Sequence, residues 1–358
     1  MNIRIKDICR FGKKSDIKAG EGNTKGKYMF FTSSIDKDKR IDKFDYDEEG
    51  IIMGTGGNAT LHYYSGKFAV STDCLVLLPN SSYKCKYLYY FFLHNMRVLE
   101  GGFRGAGLKH TSKSYIENIE LTKTHSLLEQ DKIISVLSNI DNTIVLQNKR
   151  LKLINELTRS LFIEMFGDLF TNPMNWNKQP LGAICNKVIR YPTFYGMEYL
   201  ETGIKVIRIG NILADGRMDL DDKKYVFVDD IVNKDFPETI IEMNDIIMAV
   251  RGDGSAAKRI GIIREPQLVG ANISPNLIRI KVDCNKLNPI YMFYYLTGEV
   301  GQKYLDVYVN KTAKKNIAAK DIVKVSIYVP PLDLQNRFAE YVSSIDKSKY
   351  SSFSHLSA

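Results

Sequence analysis

The feature that most constrains this chain is a stretch in its middle, Leu127–Phe166, where forty consecutive residues include neither proline nor glycine. Stepping alternately by four and three residues from Ile133 to Met165 reaches ten positions, of which eight are apolar. This spacing is a heptad seam and predicts one continuous helix, about 60 Å long at 1.5 Å per residue. A helix of that length does not fit inside a small domain. It must pack along a partner helix or present its seam to another protein.

The beginning of this helix is repeated near the end of the sequence. Residues 126–141 read SLLEQDKIISVLSNID and residues 331–346 read PLDLQNRFAEYVSSID, so that Gln130 and Gln335 occupy matching positions. The second copy follows Pro330, and prolines suit the entry to a helix. The C-terminal segment therefore provides a candidate partner helix within the same chain.

Further segments recur in the same order ahead of each copy. The matched pairs are 3–10 with 180–187, 49–58 with 244–254, 86–95 with 290–299, and 112–121 with 318–327. A repeat of this length indicates a duplicated domain and not a solenoid array. The length of 358 residues also suggests about two domains.

Each half has the pattern of a β-rich domain with a few helices. The runs GIIMGT and DIIMAV predict buried strands that end in loops, and GKFAVSTDCLVLLP and LIRIKVD predict further strands. The aromatic runs 87–92 and 291–295 predict helices packed in the core. The opening segments 3–10 and 180–187 are predicted to be a strand or turn.

The predicted fold class is therefore α+β, with two similar β-rich domains separated by a long coiled-coil helix in a pseudo-two-fold duplicated architecture. The predicted boundaries are listed in chain order: a first domain over 1–125, a central helix over 126–168, a second domain over 169–329, and a C-terminal helix over 330–358.

Composition limits the class of partner and the compartment. The net charge of +9 and the isoelectric point near 9.0 suit a polyanionic partner, although a basic solvated surface would give the same excess. The five cysteines are scattered without a C-x-x-C pair, which favours a reducing cytoplasm. No apolar run is long enough to span a bilayer and the first residues lack a secretory pattern, so no membrane association is expected.

No catalytic motif is found in the sequence. It lacks a G-x-x-x-x-G-K-[ST] loop, a strand followed by G-x-G-x-x-G, and a D/N-P-P-Y/F tetrapeptide. The five histidines have neither metal-ligand spacing nor a G-x-S-x-G partner. We therefore expect a protein that is not an enzyme and that holds no metal.

These segments together resemble the DNA specificity subunit of type I restriction–modification systems. The resemblance is carried by the two L-x-x-Q to S-x-I-D helix starts, by DIIMAVRGDGSAAKRIGII at 245–263, and by VNKTAKKNIAAKDIVKVSIYVPPL at 309–332. It covers nearly the whole chain, with the motifs in the same order in both halves. It implies that each β-rich domain is a target recognition domain for one half of a bipartite site in double-stranded DNA, and that the paired helices fix the spacing between the half-sites.

The resemblance also implies partners and cofactors. Modification (methyltransferase) subunits would dock on the helices and carry S-adenosylmethionine. Restriction subunits would add ATP- and Mg-dependent translocation and cleavage. This chain itself would hold no cofactor.

Candidate DNA contacts in the first half lie on two loops. One follows the buried strand and the other, over residues 101–113, precedes the first helix copy, and both carry groups that hydrogen-bond bases or neutralise phosphates. An ordinary hairpin turn and a solvated basic turn are the alternatives. The residues are Asn58, Thr60, His62, Tyr63, Arg104, Lys109 and His110.

Candidate contacts in the second half lie on the two equivalent loops and on a third loop over 189–196. For the third loop, packing on its own domain is the alternative. The residues are Arg190, Thr193, Arg251, Asp253, Ser255, Lys258, Arg259, Lys311, Lys314, Lys315 and Asn316.

The chain departs from the family pattern in its second helix copy, which is shortened. Only about 15–20 residues after Pro331 have helical character, so we expect most of the central helix to lack a full-length partner and to support self-association. The seam residues, Ile133 to Met165, should pack within the chain, with the outer face of the helix free for the modification subunit. The alternatives are the recognition part of a self-contained restriction–modification enzyme, a truncated inactive allele, and a coiled-coil adaptor that binds only proteins.

Overall fold

The structure is a computed structural model that describes residues 3–121, 123–190, 198–250, 259–309 and 317–351, with side chains to residue 346. The chain divides into two units, residues 1–149 and 150–358. The division falls within the long helix, so each unit contains one β-rich domain and part of that helix.

The first unit has eight described strands and the beginning of the long helix. The strands are β1 (Ile3–Arg4), β2 (Cys9–Phe11), β3 (Tyr28–Phe31), β4 (Arg40–Ile41), β5 (Tyr46–Gly54), β6 (Thr60–Val70), β7 (Cys74–Pro79) and β8 (Glu120–Leu121). The helices are α1 (Ile5–Ile8), α2 (Cys85–His94), α3 (Met96–Glu100), α4 (Lys113–Glu117) and α5 (Leu127–Phe166), with a 3₁₀ turn at Ala19–Glu21.

Six of these strands form one sheet in the order β2-β7-β5-β6-β3-β4, while β1 pairs with β8. The pairing is antiparallel except between β3 and β6. Alternate residues of β5 face opposite sides, as a strand requires. Ile51 packs against Leu88 of α2 in one core, and Ile52 packs with Phe68 in another.

The predicted central helix is confirmed as α5, over Leu127–Phe166. Its first turn is closed by a capping box, in which Ser126 N–H donates to Glu129 Oε2 at 2.7 Å and Glu129 N–H donates to Ser126 Oγ at 3.4 Å. The bonds from Ser126 lower the pKa of the Glu129 carboxyl.

The second unit repeats the element order of the first. Its strands are β9 (Lys178–Pro180), β10 (Cys185–Arg190), β11 (Ile204–Ile207), β12 (Val226–Val228), β13 (Ile246–Ala249), β14 (Ile260–Ile262), β15 (Asn272–Ile273), β16 (Leu277–Val282) and β17 (Ser326–Tyr328). Its helices are α6 (Leu181–Ile184), α7 (Ile231–Asp235), α8 (Pro289–Thr297), α9 (Glu299–Asp306), α10 (Ala319–Ile322) and α11 (Leu332–Ser351). Short 3₁₀ turns lie at Ile209–Asn211, Asp222–Lys224, Pro237–Thr239 and Pro266–Leu268.

The pairing of these strands confirms the duplication. The order β10-β16-β13-β14 matches β2-β7-β5-β6, the order β12-β11-β15 matches β4-β3-β6, and β17 pairs with β9 as β8 pairs with β1. In the first unit β6 pairs with both β5 and β3. In the second unit the extra residues 263–271 divide that strand into β14 and β15, so the sheet is split in two.

The opening segments differ from the prediction of a simple strand or turn. Each contains one helical turn, α1 and α6, between two short strands. Ile5 and Ile8 are three residues apart, and the helical turn buries both of them in the first core. Leu181 and Ile184 do the same in the second core.

The heptad seam of α5 is packed at its ends. Ile133 packs against the first core, and Phe162 lies 5.4 Å from the Phe338 ring of α11, which confirms the C-terminal helix as a partner. Ile140 and Ile144 are 50% and 53% exposed. The prediction that the whole seam packs within the chain is therefore wrong at these two residues, because nothing in the described part of the chain covers them.

Candidate nucleic-acid interface

The two candidate loops of the first domain lie together at one end of the β5–β6 hairpin. Gly57 N–H donates to Lys109 O at 2.8 Å and Thr111 N–H donates to Thr55 O at 3.0 Å. Gly56 also forms a β-bridge with His110. Residues 55–58 and 101–111, about 50 positions apart in the sequence, therefore form a single surface.

Close packing explains the glycines of the first of these loops. A Cβ at Gly56 would lie 3.1 Å from the His110 ring, and Gly57 has a φ of +82°, which favours glycine. The GTGGN segment at 54–58 is thus shaped by the neighbouring loop, as expected of a loop that follows a buried strand.

Four of the predicted contact residues have exposed side chains on this surface: Asn58, Arg104, Lys109 and His110. The backbone of Arg104 is paired with that of His110 through two hydrogen bonds of 2.9 Å, which closes the tip of the second loop. Arginine and lysine neutralise phosphates, while asparagine and histidine hydrogen-bond base edges. The surface has the chemistry required for both kinds of contact.

The other three predicted residues of this half lie within β6. Thr60 and His62 are 9% and 1% exposed, and His62 Nε2 lies 2.9 Å from Ser34 O. Burial lowers the pKa of His62 and so favours the neutral ring, while the hydrogen bond to the Ser34 carbonyl acts in the opposite direction. His62 does not present its ring at the surface, so this conformation gives no support to a direct contact with DNA.

Tyr63 is half-buried on the other face of β6. Its ring lies 5.8 Å from that of Tyr89 and 5.6 Å from Lys86 Nζ. Burial raises the pKa of its hydroxyl, and the nearby Glu49 carboxyl raises it further. The side chain is thus placed in a packing role, and its contact with DNA stays a prediction.

In the second domain most of the predicted contacts lie outside the described residues. These are Thr193, Arg251, Asp253, Ser255, Lys258, Lys311, Lys314, Lys315 and Asn316. Two predicted residues are placed: Arg190 donates from Nε to Pro275 O at 3.2 Å, and Arg259 donates from Nη1 to Ile212 O at 3.3 Å.

The ends of the three candidate loops nevertheless meet at one point. Arg190 lies at the start of the loop over 189–196, Val250 precedes the loop that follows β13, and Ile317 follows the loop that contains Lys311. Val250 N–H donates to Asn276 O and Ile317 N–H donates to Val250 O, both at 3.0 Å. With the bond from Arg190 to Pro275, these contacts bring all three loop ends to the turn over residues 274–276.

The same arrangement of bonds occurs in the first domain. There Thr111 N–H donates to Thr55 O, and Thr55 N–H donates to Asp73 O at 2.8 Å. Thr55 corresponds to Val250 and Asp73 to Asn276. We call this shared arrangement the loop junction of each domain: residues 55, 73 and 111 in the first, and 250, 276 and 317 in the second.

Next to the second junction lies an open groove of about 670 Å³ that the sequence analysis missed. It is lined by Tyr199, Arg208, Ile209, Gly210, Asn211, Lys224, Ser274, Pro275 and Asn276. The side-chain amide of Asn211 donates to Lys224 O at 3.2 Å and so links two of the residues that line the groove. The Lys224 ammonium lies 2.6 Å from Asp219 Oδ2 and lowers the pKa of that carboxyl.

A buried glutamine ties each domain to the start of its following helix. Gln130 Oε1 accepts from Lys84 N–H at 2.8 Å, and Gln335 Oε1 accepts from Asn288 N–H at 2.8 Å. Lys84 and Asn288 immediately precede the aromatic helices α2 and α8. The repeated glutamine thus caps an equivalent helix in both units.

The matching aspartates lie near matching tyrosines. Tyr90 OH donates to Asp141 Oδ2 at 2.7 Å, and burial together with the Asp346 carboxylate raises the pKa of Tyr294, which matches Tyr90. Asp346 also forms an ion pair with Arg264.

Two negative findings apply to the described ranges. They contain no group of three histidine, cysteine or acidic side chains arranged to hold a metal ion. None of their helices has the length and apolar character needed to cross a bilayer.

Comparison with known proteins identifies the family. The family model described as the type I restriction modification DNA specificity domain matches residues 1–156 and again residues 173–352. The type I restriction enzyme MjaVIII specificity subunit of Methanocaldococcus jannaschii is 24% identical, over 96% of this chain and 85% of that protein. The EcoBI specificity subunit of Escherichia coli is 21% identical, over 83% and 66% respectively.

The fold is also found in a solved structure. The crystal structure of the type I restriction–modification system S subunit from M. genitalium matches with a TM-score of 0.65 and 17% identity, over 100% of this chain and 92% of that one. The two family matches coincide with the two halves of the duplicated fold. The chain belongs to the type I restriction modification DNA specificity family.

Proposed function

We propose that this chain is the DNA specificity subunit of a type I restriction–modification complex, in which each β-rich domain reads one half of a bipartite site in double-stranded DNA. The loop junction is the observation that carries the proposal. In each domain it gathers loops that are distant in sequence at one place, and the first domain presents Asn58, Arg104, Lys109 and His110 there.

Charge supports DNA as the partner. The net charge of +9 favours association with a polyanion, since each lysine or arginine that neutralises a phosphate releases condensed counterions. In the second half, Lys311, Lys314 and Lys315 add three cations within five residues of a loop that ends at the junction.

Protein partners are expected on the long helix. Leu146, Leu153 and Leu157 of α5 follow one another at spacings of seven and four residues, which places them on one face of the helix, and they are 66%, 54% and 57% exposed. Exposed apolar residues on one face favour a docking surface for another protein. We assign this surface to methyltransferase subunits, and restriction subunits complete the complex.

The chain itself is proposed to carry no chemistry. S-adenosylmethionine belongs to the methyltransferase subunit, and ATP and Mg²⁺ belong to the restriction subunit. The complex is proposed to act in the cytoplasm, where the chain's cysteines remain thiols. DNA methylation or cleavage by the purified chain alone, supplied with S-adenosylmethionine or Mg²⁺, would contradict this part of the proposal.

The first test measures how binding of a duplex with both half-sites depends on salt. The complex of this chain with its methyltransferase subunits is compared with one in which Arg104 and Lys109 are both replaced by alanine. Each lost phosphate contact should reduce the magnitude of the slope of log K against log salt by about 0.9, so the slope of the double variant should be smaller by roughly 1.8. The double variant should also bind all DNA sequences more weakly.

A matched control replaces Lys43 and Lys67, which lie at the opposite end of the β5–β6 hairpin, also by alanine. This variant loses the same charge, and its slope should stay close to that of the unmodified complex. Equal slopes for all three complexes would remove the first loop junction from the interface.

A further inference from the structure

Asp73 occupies the centre of the first loop junction with its backbone fixed. Its carbonyl oxygen accepts three hydrogen bonds, from Thr55 N–H at 2.8 Å, from Thr55 Oγ1 at 3.0 Å and from Ser33 Oγ at 2.7 Å. Its carboxylate is exposed and makes neither a hydrogen bond nor an ion pair within the described part of the chain. The residue is therefore held in place with its side chain available.

Asn276 is the counterpart of Asp73 in the second domain. Ser71 N–H donates to Phe31 O at 2.8 Å, and Ser274 N–H donates to Ile207 O at 2.9 Å, so the turns begin in the same way. Both turns then lead into matching strands, β7 and β16. The Asn276 side chain is exposed at the rim of the groove and makes no hydrogen bond to any residue that the structure describes.

We propose that Asp73 and Asn276 are equivalent base-reading residues, one for each half-site, with Asp73 reading cytosine and Asn276 reading adenine. The proposal rests on the function proposed above and names the residues that set its specificity.

The charge of Asp73 favours a base over a phosphate as its partner. A carboxylate repels phosphate, so an exposed aspartate at the centre of a DNA-binding surface is suited to accept from an exocyclic amino group. In the major groove cytosine presents its N4 amino group as the donor for such a contact. The neighbouring Arg104 and Lys109 would balance the charge by contacting the backbone.

The side-chain amide of Asn276 matches a different base. It offers one donor and one acceptor side by side, which match N7 and the N6 amino group of adenine. Because the turn at 274–276 is fixed by the bonds from Arg190 and Val250, little backbone freedom remains to be lost on binding.

The test replaces the aspartate by asparagine at one position and the asparagine by aspartate at the other. The complex with methyltransferase subunits carries either Asp73→Asn or Asn276→Asp, and the methylated sequences are mapped in cells and checked by competition between duplexes that differ at one base pair. Asp73→Asn should lower the preference for cytosine roughly 10-fold or more at one position of one half-site. Asn276→Asp should lower the preference for adenine similarly in the other half-site.

The same exchanges at distant positions are the controls. Asp45→Asn lies just before β5, about 30 Å of strand away from Thr55. Asn285→Asp lies beyond the far end of β16, about 20 Å of strand away from Asn276. Both controls should leave the recognised sequence unchanged, and thermal melting should show that all four variants fold.

The possible outcomes are distinct. If either Asp73→Asn or Asn276→Asp leaves the recognised DNA sequence unchanged, the inference is overturned while the proposed function stays intact. The same holds if the recognised DNA sequence changes equally in the controls. Absence of both duplex binding and methylation in the unmodified complex would refute the proposed function, and the inference with it.

Discussion

A buried ion pair in the second domain leads to a quantitative prediction. Arg279 in β16 and Asp245 before β13 are 1% and 2% exposed, and Arg279 Nε donates to Asp245 Oδ2 at 2.6 Å. The guanidinium also donates to Glu242 Oε1 at 2.7 Å and to Glu238 O at 2.9 Å. Both side chains of the pair are thus buried, and hydrogen bonds compensate their charges.

The first domain has no charge at the equivalent positions. Ile51 of β5 matches Ile246 of β13, so Gly50 takes the place of Asp245 and Val76 that of Arg279. A Cβ on Gly50 would lie 3.1 Å from Val76 Cγ1, which shows that the two positions touch there as well. The same sheet therefore accepts an apolar pair.

We predict strong coupling between the two charged residues. Asp245→Ala leaves a buried guanidinium with only part of its compensation and should cost about 3–5 kcal/mol, and Arg279→Met should cost a similar amount because it leaves a buried carboxylate. The double variant removes both charges, so its cost should fall well below the sum of the single costs. For a unit of this size the single losses correspond to a fall in Tm of roughly 10 °C.

The assay is urea unfolding of the full chain followed by tryptophan fluorescence. The chain has one tryptophan, Trp176, which is partly buried in the second unit and donates from Nε1 to Phe166 O at 2.9 Å. Its signal therefore reports the second unit. Removal of the exposed pair between Asp230 and Lys234 by Asp230→Ala should leave the stability nearly unchanged. Single costs that add up in the double variant would refute the reasoning.

Two further predictions concern the helix joint and pH. Gln335→Ala leaves the partly buried Asn288 N–H without its acceptor and should destabilise the second unit by about 1–3 kcal/mol in the fluorescence assay. Gln130→Ala should leave that signal nearly unchanged, and equal effects of the two substitutions would contradict the assignment of one glutamine to each unit. Because burial lowers the pKa of His62, the unfolded state binds more protons in acid, and the first unit should lose stability as pH falls below about 6.5. Calorimetry of His62→Gln should show a smaller loss between about pH 7.5 and 5.5, and an unchanged pH dependence would exclude His62 as the cause.

Local patterns predicted the fold well where neighbours in the sequence are also neighbours in space. The seam and the absence of proline and glycine predicted α5, short apolar runs predicted β5 and β13, and the segment LIRIKVD predicted β16. The capping box at the start of α5 corresponds to the S-x-x-E pattern of residues 126–129. These features depend on residues no more than a few turns apart.

The groove was hidden because it depends on distant pairing. Arg208 and Ser274 are 66 positions apart, and they are brought together by the parallel pairing of β11 with β15. Burial of His62 likewise depends on Ser34, which lies 28 positions away. The equivalence of Asp73 and Asn276 became visible only through the bonds that their carbonyl oxygens accept.

The duplicated glutamine has a consequence for how such chains diversify. In each β-rich domain the residue before the aromatic helix donates its backbone N–H to a glutamine near the start of the following helix. The donor and the acceptor are thus the same in both halves. A gene rearrangement that exchanges one β-rich domain for another would therefore preserve this hydrogen bond between the domain and its helix. The recognised DNA sequence can then change while the helices that follow the domains keep their sequence.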